Sequence, residues 1–292
     1  MSFRGAFTAL VTPFKNGAVD EEAYRAFIEW QIEQGIDGVV PCGTTGEAAT
    51  LSHAEQGQVI KICVDQVKGR VPVIAGAGSN NTREAIELVA LAKQAGADAV
   101  LLITPYYNKP TPDGLVAHFK AIAAEAPMPS IVYNVPGRTG LNMLPKTLAR
   151  IAKEVPEVIG VKEATGDIKQ GTEVIEAMGR DFIVLSGDDF TVLPLLAAGG
   201  HGTISVTSNV MPGKMSGMIA AFNKRDTARA QALNLEMMPV NRAMFLETNP
   251  IPVKTALSLM GKMNLEFRLP LVPLEPCHLD QLKKILAESG LI

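Results

Sequence analysis

An α/β chain folded as a closed (β/α)8, or TIM, barrel with a C-terminal helical appendage is what this sequence predicts, and three features predict it. Eight short apolar runs are separated by stretches of helical character. The runs are continuously apolar rather than strictly alternating, as in parallel strands covered on both faces. One joint is also written twice, as Gly35-Ile36-Asp37-Gly38-Val39-Val40 and Gly96-Ala97-Asp98-Ala99-Val100-Leu101. A glycine ends a helix, an acidic turn follows and an apolar run begins, which is the punctuation of stacked βα units. The 292 residues, 47% of them hydrophobic, suffice for one such barrel with helix to spare. Two smaller domains and a doubly wound open sheet are the alternatives. The open sheet lacks its usual Gly-x-Gly-x-x-Gly after the first strand. The barrel is expected over residues 1–224 and the helical region over 225–292.

In chain order, residues 6–14 read as a first strand ended by proline and a loop through Asn16-Gly17. Asp20 caps a helix over 21–34, closed by Gly35. Residues 38–42 form the second strand and run into Gly43-Thr44-Thr45-Gly46-Glu47. Ser52, with Glu55 three residues on, is a capping box for the next helix. Strands three to five fall at 71–76, 99–103 and 130–134, followed by helices over 82–95, 112–126 and 145–154. Residues 158–161 are the sixth strand, which stops at Lys162; residues 182–186 and 202–206 complete eight. Residues 226–238, 251–260 and 276–288 have helical composition and spacing.

Charge excludes several function classes. The 27 basic and 30 acidic residues nearly cancel, and no basic block is present to grip nucleic acid, so small molecules are the expected partners. The N-terminus lacks a leader pattern and no apolar stretch approaches the ~20 residues of a membrane span, so a cytoplasmic protein is expected. Cys42, Cys63 and Cys277 suit reduced thiols. Neither they nor His53, His118, His201 and His278 show ligand spacing, and no metal is expected.

In such a barrel the chemistry sits at the C-terminal ends of the strands, where Lys162 falls. An ordinary lysine is neutral about once in a thousand at pH 7, and lowering its pKa to neutrality costs about 4 kcal/mol, which burial can impose. The neutral amine is then a nucleophile; the plainer alternative is a lysine that snorkels into solvent. The same mouth collects Thr44 and Thr45, Tyr106 and Tyr107, Tyr133, Arg138, Gly187 and Ile204. Each has a plainer reading: threonines satisfying a glycine turn, a core tyrosine, an arginine paired with a surface acid, a tyrosine pair in a turn or an interface. Glu163, by alternation, points away from Lys162 and is given no role. An amine, hydroxyls and a guanidinium together suit an acidic substrate that forms an imine.

The order of Gly43-Thr44-Thr45-Gly46-Glu47, Tyr133-Asn134-Val135-Pro136-Gly137-Arg138-Thr139 and Gly160-Val161-Lys162-Glu163 resembles the pyruvate-dependent class I aldolase superfamily, over essentially the whole chain. The double threonine turn, the Pro-Gly-Arg-Thr loop and Pro105-Tyr106-Tyr107-Asn108-Lys109-Pro110 are similar to its dihydrodipicolinate synthase branch. The N-acetylneuraminate lyase branch typically lacks the arginine, so Arg138 separates the two; a non-catalytic effector-binding barrel is the alternative from another class. The resemblance implies a lyase of lysine and diaminopimelate biosynthesis that needs no cofactor. Lys162 would form a Schiff base with pyruvate, whose enamine attacks L-aspartate-4-semialdehyde. Tyr133 would give and take protons with Thr44 and Tyr107 as relay. Thr45 would bind pyruvate's carboxylate, Gly187 and Ile204 would line its pocket, and Arg138 would hold the semialdehyde's carboxylate. A homotetramer of two tight dimers is implied, with Tyr107 crossing into the neighbouring site.

The resemblance also implies feedback inhibition by L-lysine in an interface cleft. The matching positions are Ala48, Ala49, His53, Gln56, Asn80, Glu84 and Tyr106. Ala48 and Gln56 depart from the sensitive pattern, where a hydroxyl-bearing residue and a histidine stand.

Overall fold

The computed structural model describes residues 2–292. Eight parallel strands build the barrel: β1 Gly5–Ala9, β2 Gly38–Val40, β3 Ile74–Gly76, β4 Ala99–Ile103, β5 Ser130–Asn134, β6 Val158–Glu163, β7 Ile183–Ser186 and β8 Gly202–Ser205. Hydrogen-bonded neighbours run in the order β2-β1-β8-β7-β6-β5-β4-β3, and a parallel bridge between Val39 and Val73 closes the ring. The helices between and after them are α1 Glu21–Glu33, α2 His53–Val67, α3 Thr82–Ala95, α4 Pro112–Glu125, α5 Pro145–Glu154, α6 Ile168–Met178, α7 Val192–Ala198 and α8 Pro212–Asn223. The appendage consists of α9 Thr227–Ala243, α10 Ile251–Leu259 and α11 Pro276–Glu288.

Apolar runs locate the strands; they match β4 and β5, overstate β1, β2, β3, β7 and β8, and stop short of the end of β6, which continues through Lys162 to Glu163. Beyond Ala9 the first run leaves the sheet, because the Asn209 side chain accepts from Val11 N and donates to Ala9 O. Phe14–Lys15 then pairs with Ala18–Val19 in a small hairpin, with Asn16 and Gly17 both at positive φ as a tight two-residue turn needs. In the appendage, α9 does not stop before Pro239 but continues to Ala243. The proline's missing hydrogen bond and ring clash cost about 3 kcal/mol. Burying Leu233, Met237, Val240 and Ala243 offsets this, at about 1.5–3 kcal/mol for each large side chain.

Two apolar layers result. One fills the barrel with Phe7, Val40, Ile74, Leu101, Ile131, Leu185 and Ile204; the larger lies between strands and helices. Which layer a strand residue enters follows from period-two alternation, and β6 breaks that alternation once. Ser130 opposes Val158 and Ile131 opposes Gly160, leaving Ile159 as an extra residue. Val158 faces the helices, so an unbroken strand would turn Gly160 and Lys162 outward too. The bulge inverts the phase: Lys162 turns inward beside Tyr133 and Leu185, and Glu163 turns out. Gly160 permits it, since a Cβ there would stand 2.7 Å from the Ile183 carbonyl oxygen.

Glu163 is occupied on the outer side, accepting from Thr165 N at 2.9 Å and from the Asn134 and Gln170 amides. Among the described residues, no helix is long and apolar enough to cross a membrane.

Candidate active site

The mouth of the barrel opens into a cavity of about 630 Å³. Lys162, Tyr133, Thr44, Thr45, Arg138, Gly187 and Ile204 all reach its wall. Tyr107 does not: its side chain is 89% exposed, on a backbone at φ 69.

Lys162 is 6% exposed, and its Nζ lies 4.1 Å from the centroid of the Tyr133 ring. Loss of water lowers its pKa to about 7; the Asp189 carboxylate opposes this and the Arg138 charge adds to it. Tyr133 moves the other way, pushed up to about 12 by burial against the pull of Arg138 and of the Thr44 hydroxyl. At neutral pH a large share of the amine is therefore free while the phenol holds its proton. A nucleophile and a proton donor stand side by side. Gly187 makes room for the lysine stem, because a Cβ there would lie 2.9 Å from Lys162 Cε and 2.6 Å from Ala164 Cβ.

The threonine turn is bracketed by two non-glycine residues in left-handed backbone, Cys42 and Glu47, both at φ 55. Such residues persist only where surrounding structure imposes them, commonly at functional sites. Thr45 Oγ1 accepts from Asn249 Nδ2 at 3.0 Å, and Arg138 Nη2 donates to the Asn249 carbonyl at 3.2 Å. Arg138 projects from a single helical turn, Pro136–Thr139, that follows β5.

Asn249 and Asp189 were missing from the residues singled out in the sequence. Asp189, 2% exposed, accepts from Val206 N and Thr207 N and so ties the end of β7 to the loop after β8. An acid two residues past Gly187 at a strand end was a usable signal. Asn249 gave none, lying 204 positions from Thr45.

Of the residues matched to a lysine cleft, Ala48, Ala49, His53, Gln56, Glu84 and Tyr106 line the same cavity. Asn80 stands beside them, its Nδ2 donating to Tyr106 O at 3.2 Å. Glu84 accepts from Ser79 Oγ at 2.8 Å, and Gln56 donates to Ala48 O. Away from the cavity, Glu275, Cys277 and His278 bring potential ligand atoms within 4.8 Å of one another. They lie at the surface at the start of α11, and His278 Nδ1 is 2.8 Å from Glu247.

Comparison with known proteins gives concordant matches. The Dihydrodipicolinate synthetase family model matches residues 2–289. A 4-hydroxy-tetrahydrodipicolinate synthase of Nitratidesulfovibrio vulgaris (strain DSM 19637 / Miyazaki F) is 68% identical over 292 residues, covering 100% of both chains. The structure of the chloride-inhibited dihydrodipicolinate synthase from Acinetobacter baumannii, complexed with pyruvate, has a TM-score of 0.97 at 46% identity and covers 100% of both chains. A lysine-bound DHDPS from Cyanidioschyzon merolae has a TM-score of 0.96 at 39% identity and covers 99% of each chain.

Proposed function

The chain belongs to the dihydrodipicolinate synthetase family, and from that premise we propose that Lys162 carries pyruvate as an imine while the cavity joins it to L-aspartate-4-semialdehyde. The activity is that of a 4-hydroxy-tetrahydrodipicolinate synthase, a lyase of lysine biosynthesis. The observation that carries the residue assignment is the pairing of a buried amine of pKa about 7 with a protonated phenol 4.1 Å away, ring centroid to Nζ.

Free Lys162 Nζ adds to the ketone carbon of pyruvate, and water leaves with a proton from Tyr133 to give the imine. The methyl carbon gives its proton to the Tyr133 phenolate, which leaves the enamine on Lys162 and restores the phenol. That carbon bonds to the aldehyde carbon of the second substrate, whose oxygen takes a proton from Tyr133, resupplied through Thr44. The semialdehyde's amine then adds to the imine carbon and displaces Lys162, closing the ring and freeing the enzyme. Because Thr45 Oγ1 already accepts from Asn249, its own proton is free for pyruvate's carboxylate. Arg138, anchored by one nitrogen on Asn249 O, has the rest of its fork for the semialdehyde's carboxylate. Gly187 and Ile204 shape the pyruvate end.

We assign Tyr107 to a neighbouring subunit's relay, in a homotetramer of two tight dimers; its exposed ring supports this. We assign feedback by L-lysine to Ala49, His53, Asn80, Glu84 and Tyr106. Glu84 suits an ammonium, while Asn80 and the Tyr106 hydroxyl suit a carboxylate.

Substrate profiling tests the reading. Pyruvate with L-aspartate-4-semialdehyde should turn over and N-acetylneuraminate should not. Arg138→Lys should raise KM for the semialdehyde more than KM for pyruvate. Equal effects on both would contradict the role given to Arg138.

A further inference from the structure

Glu47, the last residue of the threonine turn, and Lys254, in α10, form an ion pair sealed from solvent on both sides. Lys254 Nζ donates to Glu47 Oε1 and, at 2.7 Å, to Glu266 O, and lies 4.3 Å from the centroid of the Phe14 ring. The other carboxylate oxygen of Glu47 accepts from Arg268 N at 3.3 Å. The Arg268 side chain in turn grips Glu55 and Thr50 O, fastening this segment to α2.

Such a pair is a poor source of stability, because desolvation cancels most of the attraction and an apolar pair of equal volume does as well or better. What it supplies is geometry. Both oxygens of Glu47 are committed, at a residue whose backbone sits at φ 55, ψ 35, a region that a side-chain-bearing residue enters at a cost. The turn's backbone is held by Gly46 N to Gly43 O, Glu47 N to Thr44 O, Ala48 N to Gly43 O, Thr50 N and Oγ1 to Glu47 O, and Thr12 Oγ1 to Gly46 O, none of which fixes the Glu47 side chain.

We propose that Glu47 and Lys254 are positioning residues for the condensation. Their pair locks the turn so that the Thr45 hydroxyl meets pyruvate's carboxylate and the Thr44 hydroxyl reaches Tyr133, a role that rests on the assignments of Thr44 and Thr45 given above. The appended helices thereby complete the pyruvate half of the site. Arg138 takes its anchor from Asn249 O and bonds to neither member of the pair, so the semialdehyde half is coupled to the pair less directly.

Glu47→Gln combined with Lys254→Met removes both charges and avoids the lone buried charge that either single change leaves. Steady-state kinetics are measured for both substrates well below the variant's unfolding temperature, with borohydride trapping at saturating pyruvate as a second readout. KM for pyruvate should rise about tenfold and kcat fall about tenfold, while KM for the semialdehyde stays within about twofold and Lys162 is still trapped completely. A folded variant with unchanged constants, or with both KM values rising alike, overturns the proposal. Failure to trap Lys162 in the unmodified chain removes the underlying assignment instead. Should the double variant not fold, Arg268→Lys, at a partly open position, loosens the same segment and should give the same split at about threefold. Its absence there overturns the proposal equally.

Discussion

Keeping an amine neutral inside a barrel is paid for in stability, and that cost has a pH signature. Burial lowers the Lys162 pKa from 10.5 to about 7. Between those values the unfolded chain binds a proton that the folded chain does not, so stability rises with pH across that window. The penalty is greatest below pH 7, where the folded state holds the charge in a desolvated site. It is gone above 10.5. The slope is about 1.4 kcal/mol per pH unit and the whole window is worth about 5 kcal/mol. Lys162→Met keeps an unbranched chain of similar volume that cannot titrate. Urea unfolding of variant and parent, measured from pH 6 to pH 9, cancels titrations common to both. The methionine variant should be the more stable at pH 6, and its advantage should shrink by about 2–3 kcal/mol between pH 7 and pH 9. A pH-independent difference, or a parent more stable at pH 6, would refute burial as the cause of the lowered pKa.

Two further perturbations bear on the site. Gly187→Ala places a methyl group 2.6 Å from Ala164 Cβ and 2.9 Å from Lys162 Cε. Overpacking of this kind costs about 1–3 kcal/mol. Displacement of the lysine should lower kcat/KM for pyruvate about ten- to a hundredfold, and unchanged kinetics would show that the glycine does not constrain the lysine stem. L-Lysine should inhibit partially at sub-millimolar to millimolar concentration, equivalent to about 4 to 5 kcal/mol of binding, and Glu84→Thr should abolish the effect. An initial rate unaffected by a large excess of L-lysine, with both substrates near KM, would remove the regulatory assignment alone.

The barrel was readable because buried parallel strands are written as continuous apolar runs and helix starts are written locally. The capping box of Ser52 and Glu55 forms as its spacing predicts. Lys162, Tyr133 and the threonine turn were found because each ends a strand, and ends of parallel strands converge. Their geometry was not readable. The inward direction of Lys162 depends on which residue of β6 is left unpaired, and nothing in residues 158–162 singles out Ile159. Asn249, Lys254 and Arg268 reach Thr45 and Glu47 from more than 200 positions away, so no local pattern could join them. Pro239 misled because local propensity predicts a break that the packing of α9 overrides.

The central claim, that Lys162 is the amine that holds pyruvate, is tested most directly by borohydride reduction in the presence of pyruvate, followed by peptide mass mapping. One reduced pyruvyl group should appear on Lys162 and on no other lysine, Lys254 included. Lys162→Ala should remain unlabelled while folded. A folded, unmodified chain that stays unlabelled, or carries the label elsewhere, would contradict it.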